Sequence, residues 1–277
     1  MSPDHANWYC CRFCINDVEE NGYLLLELGA EGLELQNDNE VLAYLSGNCD
    51  TVLKFTTEAQ ELGFKYLGSQ PLPQVNWAES CKQLWKQVTV GKLRIVPWFD
   101  SSAPQDLSTD IIYIKPGSGF GTGHHATTAM MLELLQNDLI QDLNPTSAID
   151  IGTGSGVLAV TVCKLYGTVT TAIDNDYLAI SNATENLSLN GVSNIRLQKA
   201  DLKECSGKYD LVMANLYAEI LIDNALNLLN LCSARGLLVL SGIMDEKFQQ
   251  VVDCYTALGV GLKVSLKRDG WSAAVMG

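Results

Sequence analysis

Asp150-Ile-Gly-Thr-Gly-Ser-Gly156 is the segment of this chain whose chemistry is plainest. Its glycines stand at 152, 154 and 156, after an apolar run and before a helical one. Three closely spaced glycines let a ligand press against bare backbone without Cβ clashes. Asp174 closes the next apolar run, Thr171-Ala-Ile-Asp, 22 residues beyond Gly152. A carboxylate there can accept two hydrogen bonds from the hydroxyls of a ribose. Together these residues point to a nucleoside ligand. A glycine turn that serves only to pack a helix on a strand has no need of Asp174. Dinucleotide binding uses GxGxxG, and here the third glycine comes one position early.

A second glycine-rich stretch, Lys115-Pro-Gly-Ser-Gly-Phe-Gly-Thr-Gly-His-His-Ala-Thr-Thr128, holds four glycines in 14 residues. Thr127 or Thr128 is placed to start a helix at Ala129. Such a loop can fold over a bound ligand and exclude water; a plain surface loop ending in an N-cap has the same composition. Asn215 follows the run Asp210-Leu-Val-Met-Ala, where a strand-end cap is one reading.

These residues need a frame. From Lys92 onward short apolar runs alternate with helical patterns. The strands are Leu93–Val96, Ile111–Ile114, Ala148–Ile151, Val169–Ile173, Ile195–Leu197, Leu211–Ala214 and Leu237–Leu240, with helices from Val157, Tyr177 and Glu219. That order predicts an α/β fold with a parallel, doubly wound sheet. Residues 1–74 mix shorter elements and predict a small N-terminal α+β domain. Its strands fall at 8–15, Gly32–Leu35 and Thr51–Phe55, its helices at Val18–Leu28, Glu40–Leu45 and near Glu58–Leu62. Gln70-Pro-Leu-Pro-Gln reads as the linker, and Trp77–Gln87 as an amphipathic helix that opens the second domain, residues 75–277.

The chain has 277 residues, enough for two domains of ordinary size. Hydrophobic residues make up 47%, which excludes disorder as the main state. No run approaches the length of a membrane span. The net charge is −14, and residues 1–74 carry 12 acidic against 3 basic side chains. Clustered Lys and Arg for a nucleic acid backbone are missing, so direct nucleic acid binding is not expected. An acidic first segment suits a basic protein partner, or solubility alone. The N-terminus carries no secretory pattern, and the nine cysteines read as reduced thiols of a cytoplasmic protein. Cys11-Arg-Phe-Cys14 has no second ligand pair, so no metal site is expected.

The form Asp-x-Gly-x-Gly-x-Gly resembles motif I of class I methyltransferases, which bind S-adenosylmethionine (AdoMet). The 115–128 stretch resembles the Pro-Gly-x-x-Phe-Gly-Thr-Gly-x-His-x-Thr-Thr signature of the PrmA family, methyltransferases of the eleventh large-subunit ribosomal protein. Asn215-Leu-Tyr-Ala218, Glu185-Asn186 to Asn190-Gly191, Leu237-Leu-Val-Leu-Ser-Gly-Ile243 and Gly91-Lys-Leu-Arg-Ile-Val-Pro97 resemble further motifs of that family. The similarity runs from about residue 75 to Trp271. Residues 1–74 match only in size, order and the turn at 28–32. Lys115, His124, Ala126, Thr153 and Tyr217 depart from the usual family residues.

The resemblance implies a class I, Rossmann-like fold, AdoMet as cofactor, and methylation of lysine or N-terminal amines of a basic ribosomal protein presented by residues 1–74. It implies that Thr128, Gly152, Gly154, Asp174 and Asn215 contact AdoMet, with Phe120, Gly121 and Thr122 covering the methionine end. Asp150 is implied to hold the amino group indirectly, and Asp201 the adenine. Asn215 and the backbone carbonyl of Leu216 are the candidates for orienting the acceptor amine. His125 is either a general base or the source of a hydrogen bond that locks the loop. The alternatives are another protein lysine or a small molecule as acceptor, and a module that binds AdoMet without turning it over.

Overall fold

The computed structural model describes residues 7–14, 23–37, 39–72, 86–100, 102–115 and 125–277. The chain divides into two compact units, Met1–Gln83 and Leu84–Gly277.

Among the described residues, the first unit is a four-stranded antiparallel sheet with two helices. Its strands are β1 (Asn7–Cys14), β2 (Gly32–Asn37), β3 (Glu40–Gly47) and β4 (Lys65–Pro71), in the order β2-β3-β1-β4. The helices are α1 (Tyr23–Glu27) and α2 (Cys49–Glu61). Phe13, Leu25, Val41, Leu45, Phe55 and Phe64 form the core between sheet and helices. Phe13 meets both Phe55 and Phe64 edge-on.

Two expectations fail here. Glu40–Leu45 is strand rather than helix, because Val41, Ala43 and Leu45 alternate inward opposite Phe13, Cys11 and Tyr9 of β1. Thr51–Phe55 is helix rather than strand. Asn48 caps α2 by accepting the Thr51 N–H at 2.9 Å, and Val52, Phe55, Thr56 and Ala59 then fall on one buried face. The linker expectation also changes: Pro71 pairs with Tyr9 at the end of β4, an edge strand where proline is tolerated. Residues 18–22 of the first expected helix and 77–85 of the linker helix lie outside the described residues.

The second unit contains a small sheet of β5 (Val88–Val90), β6 (Leu93–Pro97) and β7 (Ile111–Ile114), in which β6 runs parallel to β7. Helices α3 (Ala126–Leu134) and α4 (Asp138–Leu143) follow. Then come β8 (Ser147–Ile151), α5 (Val157–Tyr166), β9 (Val169–Asp174), α6 (Tyr177–Leu189), β10 (Ile195–Lys199) and β11 (Tyr209–Asn215). The chain ends with α7 (Ala218–Asp223), α8 (Ala225–Leu231), β12 (Cys232–Met244), α9 (Phe248–Ala257), β13 (Leu262–Arg268) and β14 (Trp271–Met276).

The main sheet has seven strands in the order β10-β9-β8-β11-β12-β14-β13. The first five are parallel, and β14 runs antiparallel to both of its neighbours. Strand residues alternate between two buried faces. Ala148, Leu211, Met213, Val239 and Val275 meet a layer containing α3, α5 and α6. Ile149, Val212, Ala214, Leu238 and Leu240 meet α7, α8 and α9. A sheet covered on both sides is what near-continuous apolar strands require. The order reverses between β8 and β11, which opens a crevice beyond their carboxyl ends.

Candidate active site

That crevice is a cavity of about 670 Å3, inside the span of about 300–1,000 Å3 typical of small-molecule sites. The turn after β8 forms one wall. Gly152 has φ 69°, and a Cβ there would lie 2.7 Å from Leu216 Cδ2. Gly154 has φ 55° and donates its N–H to Asp174 Oδ2 at 2.9 Å. Both positions favour glycine, and both put bare backbone on the cavity lining.

Asp174 ends β9. Its Oδ1 accepts the Asp176 N–H at 3.0 Å, while Asp176 caps α6. Each carboxylate oxygen therefore has one backbone donor and keeps a lone pair for a ligand. Asp201 lines the same cavity beyond β10. It caps the short turn Leu202–Glu204 by accepting the Lys203 N–H at 2.9 Å.

Asp150 lies under the turn, fully buried. Its Oδ2 accepts the Thr153 hydroxyl at 2.6 Å, whereas Oδ1 has no partner among the described residues. Burial pushes this carboxyl up to about 6, against the opposing Thr153 bond, and the charge of Asp174 adds to the rise.

Asn215 ends β11 on the opposite wall, paired in register with Ser241 of β12. Its Nδ2 donates to Thr127 Oγ1 at 3.4 Å and Thr128 Oγ1 at 3.5 Å. The Leu216 N–H donates to Ser241 O at 3.0 Å, which fixes the chain just past Asn215. Tyr217 follows, 67% exposed on the rim.

Helix α3 begins at Ala126, earlier than expected, and its N-cap is His125 rather than a threonine. The His125 ring accepts from the Thr127 N–H, one of the first-turn donors that has no intrahelical partner. Thr127 lines the cavity and Thr128 is buried behind Asn215. Phe120, Gly121 and Thr122 lie outside the described residues. Trp271, at the start of β14, also lines the cavity and packs against His125. Nothing local marks it; only the return of β14 alongside β12 brings it there.

The donors and acceptors fit a nucleoside ligand with a cationic part. Asp174 offers free lone pairs, the Gly152 approach excludes a Cβ, and the unpartnered Asp150 oxygen places unsatisfied negative character beneath the turn. Among the described residues no cluster of His, Cys, Asp or Glu could hold a metal ion. No described helix is long and apolar enough to cross a membrane.

The model of a known family, described as ribosomal protein L11 methyltransferase (PrmA), matches residues 10–277. The chain belongs to this family. A ribosomal protein L11 methyltransferase of Geotalea daltonii is 37% identical over 222 residues, covering 76% of this chain and 69% of the relative. One of Clostridium perfringens is 31% identical over 267 residues, covering 94% and 82%. The crystal structure of a ribosomal protein L11 methylase from Lactobacillus delbrueckii subsp. bulgaricus superposes with a TM-score of 0.59 at 28% identity. It covers 69% of this chain and 97% of that one.

Proposed function

We propose that this PrmA-family protein is an AdoMet-dependent methyltransferase that acts on amines of ribosomal protein L11. The observation that carries this reading is one cavity with the bare Gly152–Gly154 turn and Asp174 on one wall and Asn215 on the other.

When bound, AdoMet supplies a methyl group already activated on a sulfonium. Asp174 accepts from the ribose hydroxyls, and Gly152 and Gly154 admit the rest of the donor close to the backbone. Asp201 takes the adenine end. Asp150 answers the ammonium of the methionine part from below, and Thr128 supports the same wall from behind Asn215. Phe120, Gly121 and Thr122 are assigned to that same methionine end on the family resemblance.

The Asn215 side-chain carbonyl, helped by the Leu216 carbonyl, accepts from the acceptor amine and aims its lone pair. A lysine amine, with its ordinary value of about 10.4, arrives mostly protonated. It gives its proton to water before closure, so no dedicated base is needed. Residues 1–74, rich in carboxylates, recruit the basic substrate and raise the encounter rate. The reaction belongs in the cytoplasm, where ribosomes are assembled from L11.

Intact-mass analysis of purified L11 after incubation with enzyme and AdoMet tests the proposal. Mass increments of whole methyl groups on L11, absent without AdoMet, are expected. Unchanged L11, with label passing instead to another protein in a cell extract, would move the acceptor elsewhere.

A further inference from the structure

Two contacts of His125 Nδ1 with Thr127 carry a polarity. A backbone N–H can only donate. The Thr127 N–H points at His125 Nδ1 at 3.4 Å, the N-cap contact of α3, an arrangement that suits Nδ1 as an acceptor. The 2.8 Å contact between Nδ1 and Thr127 Oγ1 is then donation by the hydroxyl. A threonine oxygen whose one proton is committed offers only lone pairs. Asn215 lies beside that oxygen and must present its amide N–H, as the 3.4 Å contact from Nδ2 shows. The Asn215 carbonyl oxygen is thereby turned away from the threonines and left to the cavity that Asn215 lines.

Burial makes this polarity firm. Thr127 is 1% exposed, which limits competition by water for its hydroxyl. The His125 ring is held edge-to-face against Trp271, with centroids 5.3 Å apart at 68°. The reversed amide would put N–H against an acceptor amine that also carries N–H, a mismatch of donors in a closed site.

We propose that His125 and Thr127 are positioning residues of the methyl-transfer site: His125 Nδ1, acting through the Thr127 hydroxyl, sets the Asn215 amide so that its carbonyl oxygen faces the acceptor amine. This rests on the reading of the cavity as an amine-methylating site. It assigns His125 no proton transfer. In each turnover the amine lone pair forms the new N–C bond, the C–S bond breaks with its electron pair going to sulfur, and the methylated nitrogen releases any remaining proton to water.

The test has two arms on the full-length protein. The chain has three histidines, so 15N-histidine NMR without AdoMet resolves His125, identified by its loss in His125→Asn. A neutral ring with its proton on Nε2 is expected; a proton on Nδ1 overturns the polarity.

The second arm is kinetic, with melting temperatures confirming that each variant folds. Thr127→Val should lower kcat on L11 about tenfold, the scale of one lost hydrogen bond in the transition state, and leave the AdoMet Kd within about twofold. Thr127→Ser should restore most of that loss. His125→Asn, whose carbonyl can cap α3 and accept the Thr127 hydroxyl, should restore most of what His125→Ala loses. Wild-type kcat in Thr127→Val refutes the relay. His125→Asn as impaired as His125→Ala, with the acid limb of the pH–rate profile gone, makes His125 a base and also refutes it. If wild-type enzyme leaves L11 unmodified, the functional reading fails instead, and the NMR arm still decides the polarity.

Discussion

The Asp174 carboxylate accepts the Gly154 N–H at 2.9 Å, which ties the end of β9 to the glycine turn after β8. One side chain therefore shapes the turn and offers lone pairs to the cavity. Asp174→Ala removes both. Two charge-assisted hydrogen bonds to ribose hydroxyls together amount to roughly 3 kcal/mol or more, so the AdoMet Kd should rise at least about 100-fold. Titration calorimetry measures this directly. A loss below about threefold would show that the sugar binds elsewhere.

Gly242 in β12 should be as intolerant as the glycines of the turn. It has φ 82°, and a Cβ there would lie 2.7 Å from the Leu216 carbonyl carbon and 2.9 Å from its nitrogen. Backbone atoms cannot swing aside as a side-chain tip can. Gly242→Ala should displace Leu216 and with it Asn215. Gly259, at φ 88° with nothing within 4 Å of a Cβ, is the control. Gly259→Ala should show only the conformational strain of about 1–3 kcal/mol, with kcat unchanged. Gly242→Ala should melt lower than that and lose at least about tenfold in kcat. Equal melting temperatures and equal kcat for the two variants would remove the contact argument.

Asp150 gives a pH dependence with the opposite sign from a salt-bridged carboxylate. Burial raises its carboxyl from 3.8 to about 6 in the folded protein. Between those values the folded state binds more protons than the unfolded state, so stability falls as pH rises from about 4 to about 6. The rise is worth about 3 kcal/mol, fully felt above pH 6. Asp150→Asn cannot ionise. Its unfolding free energy relative to wild type should therefore shift in its favour by about 3 kcal/mol between pH 4 and pH 7. Denaturant unfolding at the two pH values reads this out, and a constant difference would mean that Asp150 stays ionised throughout. A cationic ligand beside Asp150 should favour the carboxylate and release a proton near pH 6.

The part of the fold that was legible in the sequence is the part buried on both faces. Ala148–Ile151, Leu211–Ala214 and Leu237–Leu240 are unbroken apolar runs because each faces helices above and below. The antiparallel end lies outside the expected strands, although β13, Leu262-Lys-Val-Ser-Leu-Lys, alternates apolar and polar residues as an edge strand with one covered face does. In the first unit, Val41-Leu-Ala-Tyr-Leu45 is apolar at every position and fits either period; only pairing with β1 selects strand. Thr51-Val-Leu-Lys-Phe-Thr is rich in β-branched residues, yet the Asn48 cap and the buried face of α2 override that preference. The site divides in the same way. Gly152, Gly154 and Asp174 were visible because their geometry is set by neighbours in sequence. Thr127 and Trp271 enter through packing of α3 and β14, which no local spacing announces.

The division into units makes recruitment separable from catalysis. Among the described residues, those lining the cavity all lie between His125 and Trp271, and the second unit has hydrophobic clusters of its own. The first unit has its own core around Phe13 and carries most of the excess negative charge. Removing residues 1–74 should thus leave the AdoMet Kd within about twofold, since no described lining residue is lost. Methylation of L11 should instead fall about 100-fold or more in kcat/KM, because remote binding energy that delivers the amine is gone. Raising salt on the full-length enzyme should reproduce part of that loss through KM while the shortened protein stays insensitive, as expected when carboxylates steer a basic partner. A shortened enzyme that methylates L11 at the full-length rate would take recruitment away from this segment and place it on the rim around Tyr217, which the deletion leaves untouched.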